Sequence, residues 1–281
     1  MEIAEIGAGA ALAPGLRLGI IGAGAMGGAL LRGVLGSGVA RDTVWVATKS
    51  DASARVVASE FGIAVHTTYA ELTPASDVLL LAVKPAQLEA TLRELVKAGL
   101  RADALVISVA AGVTIERIEA ALGKKNPVVR AMPNTPSFVG SGMTAIAAGT
   151  HATKGHLATA ERLFEAVGLC ITIEERLLNA VTAISGSGPA YVYLIIEALA
   201  DAGVRVGLPR DVAMKLVTQT VLGAAVMVAE SDRNPAALRD DVTTPGGCTS
   251  AALLVLEEGK IRSVLARAVE EARNVLEGTR R

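Results

Sequence analysis

From residue 17 to residue 122 the chain alternates four times between a short apolar run and a stretch with helical periodicity. The runs are 17–21, 43–47, 78–83 and 104–108; the helical stretches are 25–35, 52–61, 86–97 and 114–122. Each run is apolar nearly throughout rather than at every second residue. Such strands are buried on both faces, which predicts an α/β fold: a parallel sheet with helices packed on either side. Two further β-like runs, 128–132 and 143–147, bracket a loop rich in Pro and Asn.

The strand signal fades after about residue 150. Helical patterns follow at 156–167, 176–184, 190–204, 209–230, 249–257 and 261–276. The expected organisation is a flexible extension over 1–16, a parallel-sheet domain over 17–174 and an all-α domain over 175–281. Pro14-Gly15 interrupts any helix in the extension. Pro209 stands where the first residue of a helix belongs. After Lys215 no charge appears until Glu230, so this helix is apolar all round and needs burial on every side. A domain this small offers little shelter, and subunits are expected to pack through it. The last helix is amphipathic, with Ile261, Val264, Leu265, Ala268, Ala272, Val275 and Leu276 on one face.

Hydrophobic residues make up 51% of the chain, which requires a membrane check. The uncharged run 177–196 is nominally long enough to span a bilayer. Its centre, Ser185-Gly186-Ser187-Gly188-Pro189, would leave backbone groups unpaired in lipid. Met1-Glu2-Ile3-Ala4-Glu5 lacks the basic start of a signal peptide. The expectation is a cytoplasmic protein with no membrane partner. Basic and acidic residues balance at 27 and 28, and only 2% of residues are aromatic, which argues against nucleic acid. Cys170 and Cys248 form neither a metal spacing nor a disulfide framework.

The first candidate site is Gly22-Ala23-Gly24-Ala25-Met26-Gly27, between a strand and a helix. In that context a G-x-G-x-x-G is a dinucleotide signal of the Rossmann type. Gly22 allows the tight turn, Gly24 lets a pyrophosphate approach the backbone, and Gly27 lets helix and strand pack closely. The helix N-terminus presents N–H groups to the anion. The second site ends the next strand: Thr48, Lys49 and Ser50, then Asp51, which is expected to cap a helix. Two hydroxyls and a cation suit a 2′-phosphate and favour NADPH over NADH. Lys49 as a plain surface lysine is the alternative.

Lys84 closes a buried strand after Ala82 and Val83, where ligands of open α/β sheets bind, or else simply reaches solvent. Ala110 and Ala111 let a flat ring lie near the backbone. Met132-Pro133-Asn134-Thr135-Pro136 is a stiff polar loop or a domain connector. Ser185–Pro189 and the turn from Val242 to Thr249 each carry glycines into a helix start, a geometry that suits an anion. His66, His151 and His156 lie outside every motif. No metal site or Ser–His–Asp arrangement is legible.

Together the motifs IGAGAMG (21–27), LAVKP (81–85), AAGVTIE (110–116), MPNTP (132–136), VTAISGSGPAY (181–191) and VTTPGGCTSAAL (242–253) resemble the pyrroline-5-carboxylate reductases over nearly the whole chain. The first is shared by many dehydrogenases; the last two together are specific. The resemblance implies reduction of the cyclic imine 1-pyrroline-5-carboxylate to L-proline with NAD(P)H, the last step of proline biosynthesis. An imine that arrives protonated needs positioning more than acid catalysis, in keeping with the missing histidine and metal.

By that resemblance Gly22 to Gly27, Thr48 to Asp51, Ala82 to Lys84, Ala110 and Ala111 hold the cofactor. The turn from Pro245 to Thr249, with Gly246 in it, holds the substrate carboxylate on the backbone N–H groups of Gly247, Cys248 and Thr249. The Thr249 hydroxyl orients the ring nitrogen as the catalytic residue, and Asp232 matches a carboxylate near the substrate. The family's helical domains interleave into homodimers, which assemble into decamers. Tyr69 stands where many members have Asn beside the adenine ribose, and Asp241 where an amide is common near the cofactor. Cys248 replaces a usual Ala or Thr. Two other readings stay open: a related hydroxyacid dehydrogenase or imine reductase, and a non-catalytic NADP sensor.

Overall fold

A computed structural model describes residues 12–13, 15–70, 73–123 and 125–278. The chain divides into two compact units, one ending at Gly186 and one beginning at Ser187.

The first unit is built on an eight-stranded sheet. Its strands are β1 (Leu18–Ile21), β2 (Val44–Ala47), β3 (Ala64–His66), β4 (Val78–Leu81), β5 (Leu105–Ser108), β6 (Val128–Met132), β7 (Gly142–Ala148) and β8 (Gly168–Thr172). Their order is β3-β2-β1-β4-β5-β6-β7-β8. All pairs are parallel except β6 with β7. Helices α1 (Ala25–Gly36), α2 (Asp51–Phe61), α3 (Pro85–Lys97), α4 (Ile115–Leu122) and α5 (Lys154–Glu165) connect them. Strands β1, β2, β4 and β5 are buried at every residue, as their unbroken apolar runs require. Two core clusters result: Ile20, Leu30, Leu80, Ile107 and Phe164 belong to one, and Ile21, Leu79, Leu88, Leu92 and Ile118 to the other.

Several expectations need correction. Residues 1–11 and 14 of the extension lie outside the described residues, but Leu12 is buried in the core and Leu16 packs against it, so the extension is not loose along its whole length. The compact division falls after Gly186, within the expected all-α domain rather than at its start. The reason is the segment after Glu174: a 3-10 turn, the short helix α6 (Leu178–Val181) and a π-helical turn over Thr182–Gly186. Leu178 is fully buried in the sheet unit's core. The chain runs from α6 through the π-turn and a bend at Ser187 into the start of α7 (Gly188–Arg205).

The second unit is helical: α7, α8 (Arg210–Glu230), α9 (Pro235–Asp241), α10 (Cys248–Glu258) and α11 (Ile261–Leu276). Pro209 is the cap of α8, not its first residue. Within one chain Ala213 is the buried residue of α8, while Leu216, Leu222 and Met227 are more than half exposed. The burial that the apolar sequence demands is thus not supplied by this chain alone. Two helical stretches, Glu175–Arg205 and Arg210–Glu230, are long and apolar enough to cross a membrane by length and composition.

Candidate active site

The loops after β1, β2, β4 and β5 all open on the carboxyl edge of the sheet. These strands are neighbours in the order β2-β1-β4-β5, and chain order reverses on either side of β1. That reversal is where an open α/β sheet forms its ligand crevice. The structure thus brings together Gly22 to Gly27, Thr48 to Asp51, Ala82 to Lys84, and Ala110 and Ala111.

Gly22 has φ +94°, a conformation that L side chains rarely adopt, and a Cβ there would lie 2.8 Å from the Ala82 carbonyl oxygen. A Cβ at Gly27 would lie 2.0 Å from the Gly22 carbonyl oxygen. At Gly24, the cap of α1, a Cβ would meet nothing within 4 Å. No side chain caps α1 and no acidic residue stands in its first turn. With the space beside Gly24 open and no side chain capping the helix, a pyrophosphate fits where this backbone is bare.

At the second loop the roles differ from expectation. Ser50, not Asp51, caps α2, accepting from the Ser53 N–H at 3.3 Å. Thr48 Oγ1 donates to the Ser50 carbonyl at 3.3 Å, and Ser50 Oγ to Ser53 Oγ at 3.1 Å. Both hydroxyls therefore hold the loop. Lys49 remains the exposed cation and lines a groove of about 690 Å³ with Thr67, Thr68, Tyr69 and Gln87. Thr67 and Thr68 follow β3, a three-residue strand too short to announce itself, so they escaped the sequence reading. Tyr69 is half-buried; burial, then the charge of Glu94, pushes its phenol up, against a hydrogen bond with Thr91. Lys84 is the exposed cap residue of α3, and Ala110 is buried in the core.

In the helical unit the turn before α10 makes a second bare helix start. Gly246 has φ +70°, and Gly247 caps α10 with no side-chain bond. The Gly247 N–H donates to the Thr244 carbonyl at 3.0 Å and is thus already engaged, contrary to expectation. The open donors are instead the first-turn N–H groups of Cys248, Thr249 and Ser250. The Thr249 hydroxyl has no hydrogen bond among the described residues, whereas that of Thr243 donates to the Arg239 carbonyl at 2.7 Å. A groove of about 570 Å³ here is lined by Thr243, Gly246, Gly247 and Ser250 but not by Thr249. Asp232 is exposed between α8 and α9. Asp241 pairs with Arg233, whose hydrogen bond holds the carboxyl below its usual range.

Among the described residues no cluster of His, Cys, Asp and Glu could hold a metal. His156 instead closes the start of α5, its Nδ1 accepting from the Thr153 N–H at 3.0 Å. Burial, with Glu161 and Glu165 nearby, pushes the Cys170 thiol up to about 12.

A reductase from Synechocystis sp. named pyrroline-5-carboxylate reductase is 44% identical over 258 residues, covering 92% of this chain and 96% of the relative. The chain belongs to the pyrroline-5-carboxylate reductase family. The family described as pyrroline-5-carboxylate reductase dimerisation matches residues 175–278, and the one described as NADP oxidoreductase coenzyme F420-dependent matches residues 17–112. A solved pyrroline-5-carboxylate reductase from Coxiella burnetii superposes with a TM-score of 0.88 at 36% identity, covering 95% of this chain and 99% of that one. One from Plasmodium falciparum, with NADP bound, gives 0.84 at 31% identity, covering 94% and 98%.

Proposed function

We propose that the protein reduces 1-pyrroline-5-carboxylate to L-proline, with NADPH preferred and NADH accepted. The observation that carries this is the bare start of α10 with the unengaged Thr249 hydroxyl beside it, in a chain whose sheet unit has a second bare helix start for a dinucleotide. NADPH when bound supplies the hydride. Gly22, Ala23, Gly24, Ala25, Met26 and Gly27 would hold its pyrophosphate. Lys49 answers the 2′-phosphate, with Thr48, Ser50, Asp51 and Tyr69 shaping the adenosine end. Ala82, Val83, Lys84, Ala110 and Ala111 line the crevice.

The substrate carboxylate sits on the N–H groups of Cys248, Thr249 and Ser250, with Gly246 and Gly247 shaping the turn. Charge-assisted hydrogen bonds of this kind contribute roughly 1.5–3 kcal/mol each. Thr249 Oγ1 accepts from the iminium N–H and so aims the imine carbon. The proton on nitrogen arrives with the substrate and stays in the product, so no strong protein acid is needed. Asp232 and Asp241 belong to the outer part of the site.

Functionally the division lies at 175, with a nucleotide domain over 17–174 and a substrate-binding and dimerisation domain over 175–281. The exposed apolar face of α8 is the dimer contact, with decamers built as five dimers. The protein works in the cytoplasm, with the apolar faces of α7 and α8 against a partner subunit rather than lipid. The test is to add 1-pyrroline-5-carboxylate to protein and NADPH. Loss of nicotinamide absorbance with equimolar proline is expected; folded protein that leaves NADPH intact overturns the reading.

A further inference from the structure

The loop Met132–Pro136 and the π-turn take no part in the proposed reaction, yet one side chain joins them. Asn134 is 9% exposed. Its Oδ1 accepts the Met143 N–H at 2.8 Å, at the start of β7. Its Nδ2 donates to the Ser185 carbonyl oxygen at 3.1 Å and lies 3.3 Å from Ser185 Oγ. That carbonyl is available for a reason written in the sequence. In α-register that carbonyl would accept from the N–H four residues on, which is that of Pro189 and does not exist, and in π-register from the Ala190 N–H, which donates instead to the Ser187 carbonyl at 3.0 Å. The backbone widens to a π-turn over Thr182–Gly186, a form that recurs at functional sites, and Asn134 supplies the missing donor.

The fit is close. A Cβ on Gly186 would lie 2.9 Å from Met132 Cε, so the turn is pressed onto the end of β6. The segment is also tied where it begins: Glu175 accepts from Arg130 Nη1 at 3.0 Å and from the Ile115 N–H at 2.7 Å. The chain from Glu175 to Gly186 is thus anchored at both ends to the sheet unit before the helical unit starts at Ser187.

We propose that Asn134 is a positioning residue: by holding the Ser185 carbonyl it fixes the π-turn that leads into α7, the first helix of the unit that holds the imine, and turnover depends on that turn. This rests on the reading that the helical unit holds the imine. Asn134 touches neither substrate nor cofactor in this role. Its effect is therefore on kcat, and NADPH binding is untouched.

The test uses Asn134→Asp, which keeps size and the acceptor for Met143 but, ionised, cannot donate to Ser185. The expected result is a folded protein whose NADPH Kd stays within about twofold of wild type. Its kcat falls roughly 10- to 100-fold, the scale of an ångström-level misplacement. Wild-type kcat in folded Asn134→Asp, or a parallel loss of NADPH affinity, overturns the proposal. A double-mutant cycle gives the second readout. Pro189→Ala returns an N–H to the Ser185 carbonyl, so Asn134→Ala should reduce kcat at least about fivefold less in that background than in wild type. Equal losses in both backgrounds overturn the proposal, and this cycle decides alone if Asn134→Asp does not fold. An inactive wild type would instead remove the functional reading itself.

Discussion

Two glycines of one turn are expected to fail in different ways when replaced by alanine. At Gly27 the new Cβ would stand 2.0 Å from the Gly22 carbonyl oxygen, where real Cβ contacts stay above 3.0 Å. The obstacle is backbone, so α1 must move by about an ångström relative to β1. Overpacking of this kind costs about 1–3 kcal/mol, which for a unit of this size lowers Tm by roughly 4–8 °C at the middle of that range. At Gly24 the Cβ meets nothing within 4 Å, so the ligand-free protein should melt within about 2 °C of wild type. That methyl group occupies the space through which a pyrophosphate reaches the α1 N–H groups. Losing one charged hydrogen bond of roughly 1.5–3 kcal/mol raises the NADPH Kd about 10- to 100-fold. Melting curves without ligand and fluorescence titration with NADPH separate the two effects. Gly24→Ala with wild-type affinity, or Gly24→Ala melting as low as Gly27→Ala, would refute the reasoning.

Asp77 offers a pH test. The Arg17 hydrogen bond, opposed by some burial and helped by Arg101, holds its carboxyl below the usual range. Stability from a depressed carboxyl is present above its unfolded pKa, about 4, and is lost as pH falls through the lower folded value. Asp77→Asn should therefore melt below wild type at pH 7, by the ~0–1 kcal/mol of a partly exposed pair, and the gap should close below about pH 4; a gap that widens in acid contradicts this. Leu216→Glu with Leu222→Glu removes two exposed leucines of α8, each contributing roughly 1.5–3 kcal/mol when buried. Sedimentation should show monomer where wild type is oligomeric; an unchanged oligomer places the interface elsewhere.

The sheet strands β1, β2, β4 and β5 were legible because fully buried parallel strands leave unbroken apolar runs, whereas their order in the sheet came only from the structure. The glycine turn was legible because each glycine answers a separate steric demand. Strand β3 was not, since three residues carry no period, and its loss hid Thr67 and Thr68. Strand β8 was missed because Gly168–Thr172 lies at the edge of the sheet, half-exposed, with Thr172 and Cys170 breaking the apolar run. Helix α9 had a signal that went unread: Asn234 caps it, accepting from the Ala236 N–H at 2.8 Å, and Pro235 opens it. The division between units shifted because Leu178 looks like any helical leucine, and only packing reveals that it belongs to the sheet unit. Likewise the capping of α2 by Ser50 and the engagement of the Gly247 N–H depend on local geometry that residue type leaves open.

The most direct measurement is steady-state turnover of 1-pyrroline-5-carboxylate by Thr249→Ala beside an NADPH titration of the same protein. Loss of the hydroxyl that aims the imine should lower kcat by roughly 10²-fold while leaving the NADPH Kd within about twofold. Turnover at the wild-type rate, from folded Thr249→Ala that binds NADPH normally, would contradict the assignment of Thr249 and of the α10 start as the place where the imine is held.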